Sequence, residues 1–206
     1  NLFNEMISNK KTLGILFFIL SYASLIISFF FNEDGSGGGS KGDFEVTYPF
    51  IIALQSDLLA DPVNWTLVHT PLHFLILSFV TRLIEDTNLL RLLFCIFSVT
   101  LPVIFYFIIT GLNNNKKYQE NLIILACCIF FIPSFRYTSI WANNLITSLV
   151  FFSISIFFYK KWEISKTKYL DKNVLFQIFF LILATYTRQY FAVFFIYFLN
   201  HYYKEL

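Results

Sequence analysis

The chain has 206 residues, a formal net charge of +2 and a mean hydropathy of +0.64. Apolar residues make up 57% of it, aromatic residues 21% and charged residues only 14%, whereas soluble domains carry about 25% charged residues. Phenylalanine alone occurs 28 times, often in runs that no water-facing surface could carry without aggregating. The composition excludes a soluble globular domain and predicts an integral membrane protein.

The apolar residues are gathered into separate stretches. A membrane-spanning helix needs about 20 residues, with about 17 as the practical minimum. We therefore predict an all-α, polytopic transmembrane helical bundle forming one membrane module over residues 1–206, with helices at 12–31, 88–112, 121–137, 141–159, 174–187 and 190–203. The first is longer than the core of a signal peptide and has no small-x-small cleavage site before Asn32. We expect it to be retained.

Residues 32–87 are predicted to form the first outer loop. The loop opens with a Gly/Ser stretch at 35–40 that has the composition of a flexible linker, native or engineered. Residues 46–59 place apolar side chains near helical spacing. Residues 71–84 are too short to span comfortably and begin with Pro71, which is favoured in a first helical turn. We predict two interfacial amphipathic helices packed under an external active site.

Lysine and arginine fall on different sides of the predicted bundle. Cytoplasmic loops collect positive charge, so the side that holds most of the lysines is predicted to be the cytoplasm. The opposite side holds only Lys41 but all four arginines, Arg82, Arg91, Arg136 and Arg188. Because arginine forms planar bidentate pairs with phosphate or carboxylate, the arginines indicate an anionic ligand. The alternative is that each arginine snorkels to headgroups or pairs with an acid such as Glu85 or Asp86.

The last apolar stretch allows two topologies. If residues 174–203 formed one tilted helix, Arg188 would lie near its middle, inside the hydrocarbon. Two short helices joined by an outer turn at Thr187-Arg188-Gln189 avoid that cost. We therefore predict the helix pair.

The order of these features resembles the GT-C superfamily of membrane glycosyltransferases. Protein mannosyltransferases and lipid A aminoarabinose transferases look similar, with a first helix, an outer acidic motif, a proline-led helix and an arginine-bearing span. The corresponding pieces here are Asp43-Phe44-Glu45, His69-Thr70-Pro71-Leu72-His73-Phe74, Asn88-Leu89-Leu90-Arg91, the 135–144 turn and Thr185-Tyr186-Thr187-Arg188-Gln189. The Arg188-Gln189 pair most resembles the lumenal α-1,2-glucosyltransferases. Family members usually carry more spans, so we expect this chain to be either a fragment of a longer protein or only the shared N-terminal module.

The resemblance implies an enzyme that moves a sugar from a polyprenyl-phosphate donor to a glycan, lipid or protein acceptor. Such a reaction needs a carboxylate base near the acceptor hydroxyl, first Asp43 and then Glu45, which would face the same side of an extended stretch. Donor phosphate would be bound by Arg188, Arg91 and Arg136, and substrate by His69, His73 and Gln189.

The resemblance also implies a location and a set of partners. The membrane would be the bacterial inner membrane, or that of the endoplasmic reticulum in a eukaryote, with the active site on the outer or lumenal face. Membrane lipids are expected as partners and nucleic acid is not.

The sequence departs from the family pattern in two places. Phe44 separates the two acids, and Asn143-Asn144 stand where a second acidic turn is expected. A divalent metal is therefore an open question, and no metal ligands are assigned. His69 and His73 are four residues apart, but Pro71 between them argues against one helical face. The three cysteines, Cys95, Cys127 and Cys128, fall in predicted spans and imply no disulfide framework.

Two other kinds of protein fit the composition. A transporter or flippase subunit would carry ionisable residues within its spans to line a path, whereas here the acids lie in the outer loops. A non-catalytic membrane scaffold fits equally well and is separated from an enzyme only by activity.

Overall fold

A computed structural model describes residues 10–34, 39–57, 71–112, 124–165 and 171–205. These residues form helices and contain no strand, which confirms the prediction of an all-α chain for this part of it. The helices are α1 Lys10–Phe30, α2 Ser40–Ser56, α3 Leu72–Thr81, α4 Thr87–Ser98, α5 Thr100–Leu112, α6 Pro133–Ile140, α7 Asn144–Ser165, α8 Lys172–Thr187 and α9 Val193–Glu205. The Gly/Ser stretch at 35–38 lies outside the described residues.

Three helical segments are long and apolar enough to cross a bilayer. They are Thr12–Phe30 in α1, Thr87–Ile109 in α4 and α5, and Asn144–Ser165 in α7. At a rise of about 1.5 Å per residue, the 21 residues of α1 extend about 31 Å, close to the thickness of the hydrocarbon core. Large apolar side chains such as Ile15, Ile19 and Phe107 point outward, as lipid-facing residues do.

The predicted span at 88–112 is divided into two helices that follow each other directly. The N–H of Val99 donates to Ile96 O at 3.1 Å, a tighter turn than the α-helical bond. Pro102 has no N–H to donate to Ser98 O, so one hydrogen bond of a continuous helix is absent here. The hydroxyl of Ser98 donates to Phe94 O within α4. The local backbone chemistry therefore breaks the helix without ending the span.

The prediction of a continuous helix at 121–137 is wrong. Its described part has one helical turn at 124–127, a 3₁₀ turn at Ile129–Phe131, an extended Ile132 and then α6. The cause is Pro133, because a residue before proline is pushed out of the helical region. The segment packs along α1 instead, where the N–H of Phe130 donates to Ser21 Oγ at 3.1 Å.

The acidic motif lies on a helix and not in an extended stretch. α2 begins at Ser40, six residues before the predicted start. Asp34 accepts a hydrogen bond from the N–H of Lys41 at 3.1 Å, which satisfies one of the free donors at the helix start. Asp43 and Glu45, two residues apart, are therefore about 200° apart around the axis. The expectation that they face the same side is wrong.

α2 and α3 lie side by side and run in the same direction. Phe50 and Phe74 meet edge to face with centroids 5.5 Å apart. Further toward the carboxyl ends of both helices, Gln55 Nε2 donates to Thr81 Oγ1 at 2.8 Å. Arg82 then donates to Gln55 O at 2.6 Å, which caps the carboxyl end of α2. Arg82 is therefore engaged at the end of α2 opposite Asp43.

The last three long helices form an antiparallel set. α8 runs back along α7, with Phe158 stacked on Phe176 at 5.0 Å. The chain then turns at an extended Arg188 and a 3₁₀ turn, Gln189–Ala192, and α9 returns so that Tyr202 meets Gln177. Residues 174–203 thus form two helices around a turn and not one tilted helix.

The two ends of this three-helix set differ in charge. Asn144 and Arg188 mark one end, which we call the pocket end, and Lys160, Lys161, Lys172 and Lys204 mark the other, the lysine end. Sixteen residues of α7 separate Asn144 from Lys160, a rise of about 24 Å. The cytoplasmic position of the lysine end stays a prediction from charge.

Single-cysteine labelling tests this sidedness. In a chain whose three native cysteines are changed to alanine, we expect Glu45→Cys and Tyr203→Cys to react with an impermeant maleimide from opposite faces of sealed vesicles, because both side chains are exposed at opposite ends. Labelling of both from the same face would contradict the topology.

Candidate functional site

A small open pocket of about 80 Å³ lies at the pocket end of the bundle. Its walls come from α2, the start of α3, the turn between α6 and α7, and the turn after α8. The lining residues are Asp43, Phe44, Thr47, His73, Phe74, Trp141, Ala142, Asn143, Asn144 and Arg188. Three residues that the sequence analysis selected, Asp43, His73 and Arg188, therefore meet in one place.

The turn between α6 and α7, together with the first residue of α7, forms one wall of the pocket, and Asp43, His73 and Arg188 each contact it. Ala142 has a φ of 49°, an uncommon left-handed conformation for a residue with a Cβ. This reversal lets Asn143 N–H bond Thr138 O at 2.9 Å while Asn143 caps α7, its Oδ1 accepting from Leu145 N–H at 3.0 Å. An asparagine just before an apolar run is the sequence signal of such a cap.

Asp43 faces the pocket from the first turn of α2. Its carboxylate accepts a hydrogen bond from Asn143 Nδ2 at 3.3 Å, the one side-chain bond to it from the described residues. Because Asn143 Oδ1 is used by the helix cap, the orientation of this amide is determined, and its N–H₂ group must face Asp43. The carboxylate is otherwise exposed and keeps acceptor capacity for a ligand hydroxyl.

His73 is a fully engaged wall residue. Its side chain is 2% exposed, and Nε2 lies 2.8 Å from Ala142 O, so Nε2 carries the proton and Nδ1 accepts from Thr147 Oγ1 at 3.0 Å. Burial lowers the pKa of His73 to about 4, the bond to Ala142 O opposes this shift, and the positive charge of Arg188 adds to it. His73 is therefore neutral at physiological pH and positions the wall through both nitrogens.

Arg188 reaches the pocket from the turn after α8. Its Nε donates to Asn144 Oδ1 at 2.8 Å, and its guanidinium lies over Tyr190 at 5.8 Å. Within the described part of the chain, the two terminal nitrogens of Arg188 have no hydrogen-bond partner, and no ion pair joins Arg188 to Asp43. A cation and an anion thus line one pocket without neutralising each other.

Arg91 lies behind the pocket wall and does not line the pocket. Its side chain is 5% exposed and stacks on Trp141 with 3.6 Å between the guanidinium carbon and the ring centroid. It donates to Ile140 O and to Asn32 Oδ1, each at 3.0 Å. Its role in binding donor phosphate stays a prediction, and among the described residues it forms no ion pair with Glu85 or Asp86.

Arg136 is held by Glu33, an acid three residues beyond the end of the first helix. Its Nε and Nη2 donate to the two carboxylate oxygens of Glu33 at 2.9 and 2.6 Å, and Nη1 donates to Phe131 O at 3.1 Å. The hydrogen bonds from Arg136 hold the pKa of Glu33 below its usual value, although partial burial opposes this. Arg136 therefore ties α6 to the end of α1, and its donors are not turned to the pocket.

Two further predicted site residues, Glu45 and Gln189, lie away from the pocket. Glu45 is exposed and faces Lys41 on its own helix, with 3.8 Å between Oε1 and Nζ. Gln189 is exposed on the 3₁₀ turn and does not line the pocket. His69 falls outside the described residues. Asn143 and Asn144, which depart from the acidic motif of the family pattern, both line the pocket.

Metal binding gains no support from the described residues, among which no three His, Cys, Asp or Glu side chains lie close enough together to hold an ion. Comparison with known proteins finds no protein-family model, curated protein or solved structure that matches this chain. The resemblance to the GT-C superfamily therefore rests on the ordered motifs alone.

The Glu33–Arg136 pair gives a testable stability effect. Glu33→Gln removes a charge-assisted, bidentate and largely buried interaction, so we expect a loss of about 1.5–3 kcal/mol in the free energy of unfolding at pH 7. Because the pKa of Glu33 is lowered in the folded chain, this stabilisation is present above about pH 4.3 and is lost as the pH falls through the folded value.

Thermal unfolding in detergent between pH 3 and pH 7, followed by tryptophan fluorescence, checks both points. The matched control is Glu45→Gln, which removes an exposed pair and should have little effect. A difference between wild type and Glu33→Gln that stays constant down to pH 3 would argue against the ion pair as its source.

Proposed function

We propose that this chain is a membrane glycosyltransferase that moves a sugar from a polyprenyl-phosphate donor to an acceptor hydroxyl at the outer or lumenal face. The observation that carries the proposal is the pocket itself. Asp43 and Arg188, which are far apart in sequence, line it together without pairing. A carboxylate and a guanidinium placed in this way suit a reaction in which the carboxylate takes up a proton and the guanidinium stabilises negative charge that develops at another position.

The two residues divide the chemistry. Asp43 accepts the proton of the acceptor hydroxyl, whose oxygen forms a bond to the sugar C1. The bond between C1 and the phosphate oxygen breaks, and polyprenyl phosphate leaves with the electron pair. Arg188 stabilises this charge through its terminal nitrogens, which the described residues leave free for a ligand.

The surroundings of Arg188 suit a donor held in a membrane. Tyr186 and Tyr190 flank Arg188 and are 58% and 71% exposed. Tyrosine is enriched where a membrane meets water, and a lipid phosphate lies at that level. The apolar face of α8 below Tyr186, with Phe179 and Ile182 exposed, is compatible with a polyprenyl chain alongside.

A transporter or flippase subunit is less well supported. Its path would require ionisable groups along the spans. In the described spans the buried charge is Arg91, which lies in the first turns of α4 and is engaged with Trp141. A non-catalytic scaffold is the result that a complete absence of transfer would favour.

A sugar-transfer assay tests the proposal. The protein is reconstituted in liposomes with radiolabelled polyprenyl-phosphate sugars, and wild type is compared with Asp43→Asn and Arg188→Ala. We expect each variant to lower kcat by about 100-fold or more, the first through loss of the base and the second through loss of charge stabilisation.

Glu45→Gln is the control for this assay. It removes a carboxylate from the same helix but from another face, so its rate should be close to that of wild type. A transfer rate in Asp43→Asn equal to that of wild type would show that Asp43 is not the base. Wild type that neither binds nor uses any sugar donor would contradict the function.

A further inference from the structure

One polar cluster is buried within the apolar part of the three-helix set. Gln177 on α8 is fully buried, and its Nε2 donates to Ser155 Oγ on α7 at 3.2 Å. The hydroxyl of Ser155 donates back to Gln177 O at 3.0 Å, and Tyr202 on α9 donates to Gln177 Oε1 at 3.1 Å. A single side chain therefore joins all three helices.

The aromatic stacking of Phe158 between α7 and α8 specifies their alignment weakly. Phe158 stacks on both Phe176 and Phe180, with centroids 5.0 and 5.8 Å apart. These two rings are one helical turn apart, so a shift of α8 by one turn would still offer Phe158 an aromatic partner. Hydrogen bonds are directional, and in an apolar medium a displaced polar group finds no water to replace its partner.

The position of the cluster relates it to the pocket. Eleven residues separate Ser155 from Asn144 on α7, and eleven separate Gln177 from Arg188 on α8. Eleven residues make three helical turns, a rise of about 17 Å, and return to the same helix face. In two antiparallel helices, the pairing of Gln177 with Ser155 therefore brings Arg188 level with Asn144, where their contact is 2.8 Å.

We infer that Gln177 is a positioning residue, which sets the alignment of α8 along α7 and thereby brings the guanidinium of Arg188 to the pocket. A shift by one turn would move Arg188 by about 5.4 Å, beyond reach of Asn144. The inference rests on the proposed function for the use made of Arg188, but the alignment itself is measured without any enzyme activity.

Cysteine cross-linking in liposomes tests this alignment. In the full chain with its three native cysteines changed to alanine, Phe151→Cys is combined with Phe180→Cys for the observed alignment, since these rings lie 6.4 Å apart. The same cysteine is combined with Phe176→Cys or Ala184→Cys for a shift of one turn either way. A short thiosulfonate cross-linker then reports the ratio of observed to shifted pairs.

We expect Gln177→Leu to lower this ratio at least about threefold, the effect of one average hydrogen bond between helices in a bilayer. Thr185→Val is the matched control, because its hydroxyl bonds Leu181 O within α8 and should leave the ratio unchanged. Ser155→Ala, a milder change of the same cluster, should lower the ratio as Gln177→Leu does. It decides the question if Gln177→Leu does not fold.

Exchange of the two partners provides the rescue. Ser155→Gln combined with Gln177→Ser restores a donor and an acceptor between α7 and α8, and we expect it to return the ratio toward the wild-type value. A ratio unaffected by Gln177→Leu or by Ser155→Ala would overturn the inference, as would an exchange that stays at the level of the single variant. If Gln177→Leu loses the alignment but the wild-type protein transfers no sugar, the inference about Gln177 stands and only the proposed function is contradicted.

Discussion

The pocket end depends on how one buried cation is accommodated. A guanidinium taken out of water is destabilising unless its donors are bonded and its charge is compensated. Arg91 meets this demand by stacking on Trp141 and by donating to Ile140 O and Asn32 Oδ1, and no acid of the described residues forms an ion pair with it. These contacts hold α4 to the end of α1 and to the turn after α6. Trp141 in turn donates to the backbone oxygen of Glu33 at 2.9 Å, so the same wall is fixed from two sides.

The wall, formed by the turn between α6 and α7, also positions the residues that line the pocket. Ala142 O holds His73 and Asn143 holds Asp43, so the conformation of one turn sets both groups. The arginines have correspondingly different uses. Arg136 is bonded to Glu33 and Arg91 to the wall, whereas Arg188 directs its Nε to Asn144, and among the described residues its terminal nitrogens have no hydrogen-bond partner. A single arginine, and not a cluster, is therefore the proposed anion site.

Much of this arrangement can be predicted from the sequence. Each feature that the sequence did not predict has a specific physical cause. The apolar stretches and the break at Arg188 predicted the all-α chain and the helix pair, because burying a charge in hydrocarbon is too costly. The interruption before Pro133 was missed, although the proline itself was the signal. The side on which Glu45 lies was also missed, because the start of α2 depends on Asp34, a contact across the linker. Of the two roles considered for the arginines, pairing with an acid holds for Arg136, and the partner, Glu33, is more than a hundred residues away.

We propose that the pocket holds a lipid-linked phosphate through Arg188. Equilibrium binding of a sugar-free, short-chain polyprenyl phosphate to the protein in nanodiscs tests this proposal, with Arg82→Gln as the control, because Arg82 is an exposed arginine at the end of α2 away from Asp43. We predict binding by wild type and by Arg82→Gln, and at least tenfold weaker binding by Arg188→Ala, because a hydrogen-bonded charge pair would be lost. Equal affinity of wild type and Arg188→Ala would contradict the proposal.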